Sequence, residues 1–445
     1  MSHLSSPSKL RITDLRFAKI SGAPMGCIMV KVLTNSELVG YGEIRDWSSE
    51  TYGLLLKSRI IGENPCNVDK IFRRIKQFGG PSRQAGGVCG IELALWDLAG
   101  KAWGVPVYQL LGGKFRDKIR IYSDTDMEGR PDGKKMGEAL RKRMDLGFTY
   151  LKMDWGVGQL MELMEHGETG LLSAPLGYIK DFMEAGGARK YFLTDREKHN
   201  RAYDTINIAH PFTGLQITEK GLDVLEQYLA DVRSVIGYDI PLAIDHCGHI
   251  GLNECIKLAR RAEKYNIAWL EDLLPWQMTG AWQQLASAIT VPLGTGEDIY
   301  LKENFLPLLQ SGALSVIHPD ILSSGGLYET KKIGDLAQDY GVAMAIHMAE
   351  TPIAALAAAH TAAATENFLA LEFHSVDVPW WDDLVKTASK PIINRGFIEL
   401  SEAPGLGIED LNDEVIRAHL DPSQKDIWMS TEQWDNEYSH DRTWS

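Results

Sequence analysis

The sequence predicts an α/β fold built on a (β/α)8-type barrel, with a separate α+β region ahead of it. Three observations carry this expectation. Eight short apolar runs follow one another from residue 119 onward, most of them trailed by a helical stretch. The last six runs lead into polar or ionisable residues at near-constant spacing, one βα unit per step. The residues before them place strands first and helices after, instead of alternating the two. A chain of 445 residues is also too long for one small core.

Taken in order, residues 27–33 alternate as a strand, and 40–44, after a turn, form its hairpin partner. Residues 51–77 have helical spacing, through Leu54, Leu55, Ile60 and Ile61, then Val68, Ile71, Phe72 and Ile75. Past Gly79-Gly80-Pro81 and Gly86-Gly87, a strong helix over 88–103 carries Ile91, Leu95, Leu98 and Ala102 on one face. The barrel runs are 119–122, 150–153, 241–244, 267–270, 291–293, 314–317, 342–346 and 368–371. Residues 353–364, short and Ala-rich, suit a buried barrel helix. The step from Lys152 to Asp245 is about four times the usual one, which implies an insertion near 156–217. Such a loop is a lid, an oligomer contact or a surface elaboration. After Pro391, residues 396–400 form one more strand candidate. The polar tail carries Trp428, Trp434, Tyr438 and Trp444, as an arm packed on a neighbour or a frayed end. The expected domains are 1–115, 116–390 and 391–445.

The net charge of −14 leaves no basic field for tracking phosphates, so a nucleic-acid partner is not expected. Nor is a membrane: no apolar run reaches spanning length and the start lacks a signal peptide. Cys27, Cys66, Cys89, Cys247 and Cys255 are scattered with no CxxC pair. A disulfide framework or zinc site is therefore not expected, and a reducing, cytoplasmic setting is. Cys247 is expected to be an ordinary packed thiol.

The chemistry lies in the strand ends: Asp245 after the third run, Glu271 after the fourth, Glu297 near the fifth, His318-Pro319-Asp320 after the sixth, His347 after the seventh and Glu372 after the eighth. An acidic residue after a strand is, singly, an ordinary helix cap or solvated side chain. Together these groups share one rim, where barrel enzymes place their sites. Asp245, Glu271 and Glu297 would repel one another there, and a divalent cation removes the conflict. An all-carboxylate set without Cys or an HxxH pair favours Mg²⁺. Asp320 and His347 sit on adjacent strands. A carboxylate on one ring nitrogen makes the other more basic, so His347 is the expected general base.

At these residues the chain resembles the mandelate racemase and muconate lactonizing branch of the enolase superfamily. The likeness rests on Ile91-Glu92-Leu93-Ala94-Leu95-Trp96-Asp97-Leu98-Ala99-Gly100-Lys101, Pro106–Gly113, Trp269-Leu270-Glu271-Asp272, Gly294-Thr295-Gly296-Glu297, Pro319-Asp320 with Gly325-Gly326-Leu327, and Pro404-Gly405-Leu406-Gly407. The resemblance implies a modified (β/α)8 TIM barrel under an α+β capping domain that the C-terminal segment completes. It implies Mg²⁺ on Asp245, Glu271 and Glu297, an Asp320–His347 dyad, and Glu372 as hydrogen-bonding group to the substrate carboxylate. The family's Lys-x-Lys motif reads Lys152-Met153-Asp154 here: Lys152 matches, and Asp154 replaces the second base of racemases. Residues two apart on a strand share a face, so both can enter the pocket. Lys152 could offset substrate charge, and Asp154 could bind a hydroxyl, act as an acid or simply pair with Lys152.

The expected activity is dehydration of an aldonate or aldarate to its 2-keto-3-deoxy acid, with His347 removing the α-proton. A cycloisomerase or lactone-opening enzyme is the alternative, followed by an epimerase and, in a different class, a non-catalytic binding protein on the same fold. Arg45, Trp47, Arg83 and Gln84, in two loops expected to close over the pocket, are candidate substrate contacts, as is His318. A homo-oligomer is expected from the resemblance.

Overall fold

The computed structural model describes residues 7–127, 129–173, 211–245, 247 and 250–437. Eight parallel strands close into a barrel: Lys118–Thr125, Leu151–Asp154, Leu242–Asp245, Ile267–Glu271, Leu293–Thr295, Val316–Ile317, Ala343–Ile346 and Phe368–Phe373. They pair in sequence order, and the eighth returns to the first. All eight overlap the predicted runs, the fifth at Leu293 alone. Among the described residues, no α-helix follows the eighth strand before Asp413–Ala418. Ahead of the barrel, Ile12–Ile20, Cys27–Thr34 and Val39–Ile44 form an antiparallel sheet.

This sheet lies against the long helix Gly86–Trp103 at backbone contact. A Cβ at Gly42 would fall 2.0 Å from the Gly90 carbonyl oxygen, so only glycine fits. Around it Phe17, Ile28, Val30, Ile71, Ile91 and Leu95 form one apolar core. The helical stretch expected over 51–77 is broken into Thr51–Leu54, Lys57–Ile60 and Val68–Ile75. Gly62, at φ +80°, and Pro65 lie in the gap, where a continuous helix cannot form.

The chain divides into two compact units, one of residues 1–121, 296–306 and 317–445, the other of 122–295 and 307–316. Three buried carboxylates tie the first unit together. Glu43, on the N-terminal sheet, accepts from Thr351 N, Thr351 Oγ1 at 2.6 Å and Ala354 N, at the start of the helix Pro352–Ala363. Glu92 accepts from Leu327 N at 2.8 Å and Tyr328 N at 3.1 Å, at the start of Leu327–Asp339. Both thus satisfy helix amides that have no partner within their own helix. Burial pushes each of these carboxyls up to about 8, against the hydrogen bonds it accepts. Asp97 accepts from Tyr41 N and Leu406 N, joining sheet, helix and C-terminal segment. Pro352–Ala363 is buried along its whole length, as its composition implies, and starts with an N-cap Thr351 and Pro352 at its first turn.

The C-terminal segment returns to the N-terminal sheet. Phe397–Glu399 pairs antiparallel with residues 118–120. Asp421 N donates to Lys19 O, Trp428 N to Phe17 O, and Lys31 Nζ lies 4.2 Å from the Trp428 ring centre. Buried Lys57 contacts Asp14 at 2.7 Å, Asp435 at 2.5 Å and Thr431 Oγ1 at 2.8 Å. The tail up to residue 437 is therefore an ordered arm on its own N-terminal region and not a frayed end; Tyr438 and Trp444 lie outside the described residues.

In the second unit, the described parts of the insertion include the helix Val157–Glu165 and an antiparallel pair, Leu172–Ser173 with Gln216–Ile217, that closes its base. Residues 174–210 lie outside the described residues. Among the described residues, no helix is long and apolar enough to cross a membrane.

Candidate active site

In the second unit, three neighbouring barrel strands end in polar side chains. Parallel register sets Lys152 beside Ala243 and Asp154 beside Asp245. Lys152 Nζ lies 2.7 Å from Asp245 Oδ2 and 3.0 Å from Glu271 Oε1. Trp269 Nε1 donates to Glu271 Oε2 at 2.8 Å, and the Tyr150 and Tyr122 rings pack on that indole. Gly294 leaves room for it: a Cβ there would meet Trp269 Cδ1 at 2.9 Å. Two buried carboxylates thus face one ammonium. Cys247 is buried, and burial together with Asp245 pushes its thiol well up, so it is an inert packed thiol.

In the first unit, Asp320 and His347 form a bridge between their strand ends. His347 Nδ1 is 2.6 Å from Asp320 Oδ2. The carboxylate holds the proton on Nδ1, which leaves Nε2 as the basic nitrogen. Leu322 N donates to Asp320 Oδ1 at 2.5 Å. Burial pushes the Asp320 carboxyl up to about 6, while Arg45 and the Leu322 amide pull it down. His347 Nε2 lies 3.2 Å from Glu297 Oε2 and 3.9 Å from Glu372 Oε2. Glu372 sits among three imidazoles, with His318 Nε2 at 3.4 Å and His374 Nε2 at 3.3 Å.

Arg45 differs from the expectation of a substrate contact. It is 1% exposed, and its guanidinium is committed within the protein. Nε donates to Asp46 Oδ1 at 2.7 Å, Nη1 pairs with Asp320 Oδ2 at 2.6 Å, and Nη2 with Glu297 Oε1 at 3.2 Å. Nη1 also reaches Ser323 Oγ, and Glu350 lies 3.7 Å from Nε. Arg83, 40% exposed at its side chain, pairs with Asp46 Oδ2 at 3.0 Å. Trp47 is the exposed member of this loop, 65% accessible and held at φ +52° by a hydrogen bond from its N to Gly26 O. Gln84 is exposed and folds back over Gly80.

Two participants escape the sequence reading. Glu350 has no strand-end position to mark it. His374 does carry a signal: it stands two residues beyond Glu372, on the same face of the eighth strand's continuation. One ligand-type atom from each of His347, Glu372 and His374 lies within 4.8 Å of the others.

The residues fit the divalent ion that the family implies. Asp245, Glu271 and Glu297 offer only carboxylate oxygens, the donors of a hard cation. Each unit also gathers several acids on one cation: Asp245 and Glu271 on Lys152, and Asp46, Glu297, Asp320 and Glu350 around Arg45.

Residues 135–414 match the family model described as enolase C-terminal domain-like, and 11–112 match the mandelate racemase / muconate lactonizing enzyme N-terminal domain. The chain is 31% identical over 418 residues to a D-xylonate dehydratase of Haloferax volcanii, covering 92% of this chain and 89% of that one. It is 25% identical over 413 residues to a D-galactonate dehydratase of Ralstonia pickettii, covering 90% and 92%. Among solved structures, a mandelate racemase/muconate lactonizing enzyme-like protein from Rubrobacter xylanophilus superposes with TM-score 0.76 at 27% identity, covering 94% of this chain and 99% of that one.

Proposed function

Because the chain belongs to the mandelate racemase/muconate lactonizing enzyme family of the enolase superfamily, we propose that it is a hydro-lyase that dehydrates a sugar acid to a 2-keto-3-deoxy acid. The observation that carries this reading is the carboxylate–imidazole dyad: Asp320 Oδ2 lies 2.6 Å from His347 Nδ1, which leaves Nε2, between Glu297 and Glu372, as the basic nitrogen. Asp245, Glu271 and Glu297 would hold Mg²⁺, which supplies stabilisation of the charge that develops on the substrate carboxylate when its α-proton leaves.

His347 Nε2 takes the α-proton, and the imidazolium so formed is stabilised by Asp320. Glu372 and His318, buried beside the base, orient the substrate carboxylate end. Lys152 offsets the charge of Asp245 and Glu271. A racemase needs a base on each face of the α-carbon, and Asp154 stands where the second base of racemases would be, so one-sided elimination is the better fit.

The test uses a panel of aldonates (D-xylonate, D-galactonate, D-gluconate) and aldarates, with Mg²⁺, read as 2-keto-3-deoxy acid. Turnover is expected for at least one, and should vanish in His347→Asn and after EDTA treatment, returning with added Mg²⁺. Dehydration unchanged in His347→Asn would remove the base from its role. Ring opening without loss of water would replace the lyase by the cycloisomerase reading.

A further inference from the structure

We propose that His374 is the proton donor to the departing 3-hydroxyl, an assignment that rests on the dehydratase reading above. Elimination needs two proton transfers on adjacent carbons, one from C2 and one to the oxygen on C3. In the first unit, the seventh and eighth strands are parallel neighbours whose ends each bring an imidazole beside a carboxylate: His347 lies 2.6 Å from Asp320, and His374 lies 3.3 Å from Glu372, which also has His318 at 3.4 Å. Asp320 fixes the first imidazole as an acceptor. Glu372 Oε1 lies 3.3 Å from Nε2 of the second ring.

The spacing suits one substrate. The His347 and His374 ring centres are 5.8 Å apart. A C2–H and a C3–OH on neighbouring carbons can each lie about 3 Å from one of two rings so placed. His374 also has the more exposed side chain, 15% against 7% for His347. The i, i+2 relation to Glu372 keeps it pointing to the same side as the strand-end carboxylate.

The step balances without any outside reactant. The C2–H bond breaks and its proton passes to His347 Nε2. The electron pair left on C2 forms the C2=C3 bond as the C3–O bond breaks. The leaving oxygen takes its proton from His374 and departs as water, and the enol tautomerises to the 2-keto acid. His374 is then reprotonated from solvent.

The test compares wild-type protein and His374→Asn, with Mg²⁺, on the aldonate the wild type turns over. Two signals are followed in D2O: deuterium entering C2 of recovered substrate and appearance of 2-keto-3-deoxy acid. A third is fluoride release from the matching 3-deoxy-3-fluoro aldonate, whose leaving group needs no proton. The variant should lose about 10²-fold in dehydration. It should keep C2 exchange and release fluoride within tenfold of wild type. Retained exchange and fluoride release also show that the variant is folded. A loss of dehydration smaller than tenfold overturns the assignment. So does a parallel loss of all three signals, which would make His374 a support for His347. A wild-type protein inactive on every aldonate and aldarate overturns the dehydratase reading itself, and the assignment with it.

Discussion

Replacing Arg45 by Met removes a guanidinium that touches Asp46, Glu297 and Asp320 at 2.7, 3.2 and 2.6 Å while keeping most of its volume. All but Glu297 have side chains no more than 3% exposed, so water cannot take over the lost contacts. Breaking a buried ion pair from one side costs about 3–5 kcal/mol, because the remaining charge stays buried. With an m-value of about 3 kcal/mol/M, the urea midpoint should fall by about 1 M or more at pH 8. The sign with pH follows from the carboxyls. Without Arg45, Asp320 and Glu350 have folded pKa values further above their unfolded ones. Their contribution to stability is then present at low pH and lost as pH rises. Burial already pushes Asp320 to about 6 and Glu350 well up with Arg45 in place. The deficit of Arg45→Met should therefore be smaller at pH 5.5 than at pH 8. Tryptophan fluorescence during urea unfolding at both pH values measures it. A variant within about 1 kcal/mol of wild type at pH 8, or a deficit that does not change with pH, would refute the reasoning.

Two further outcomes rest on buried charge elsewhere in the first unit. Burial raises Glu43 to about 8, so its contribution to wild-type stability should fall as pH rises from about 5 to 8, by up to roughly 1.4 kcal/mol per unit. Glu43→Gln removes that titration, and its urea midpoint should gain on wild type over the same range; a gap that widens with pH would mean the carboxylate is ionised and needed by the helix end. Lys57→Met removes the ammonium that contacts Asp14, Thr431 and Asp435, so amide exchange over residues 428–437 should quicken at least tenfold, and unchanged exchange there would count against Lys57 as the arm's anchor.

The barrel was legible in the sequence because each strand is short, apolar and followed by a polar residue about one βα unit from the next. The hairpin of the N-terminal sheet and the helix Gly86–Trp103 were legible for a similar reason, a period sustained over many residues. The dyad could be anticipated from two adjacent strand ends. Arg45 could not: its position in a cap loop suggested an exposed hand for substrate, and only the fold reveals four acids around it. Glu43, Glu92 and Lys57 are also silent in sequence, because the helix starts and the C-terminal arm that they hold lie hundreds of residues away and no local pattern requires them. His374 was within reach of the same two-residue rule that linked Lys152 and Asp154, had it been applied to the eighth strand.

Glu43 and Glu92 have a consequence for how such a protein can change. Each is carried by the N-terminal region and plugged into the start of a helix that follows the sixth or seventh barrel strand, the strands bearing the dyad. A recombination event that exchanged the first 115 residues for those of a distant cousin would strand two acids opposite foreign helix ends, and leave two native ones bare. Point changes at exposed positions such as Trp47, by contrast, leave both helix ends covered.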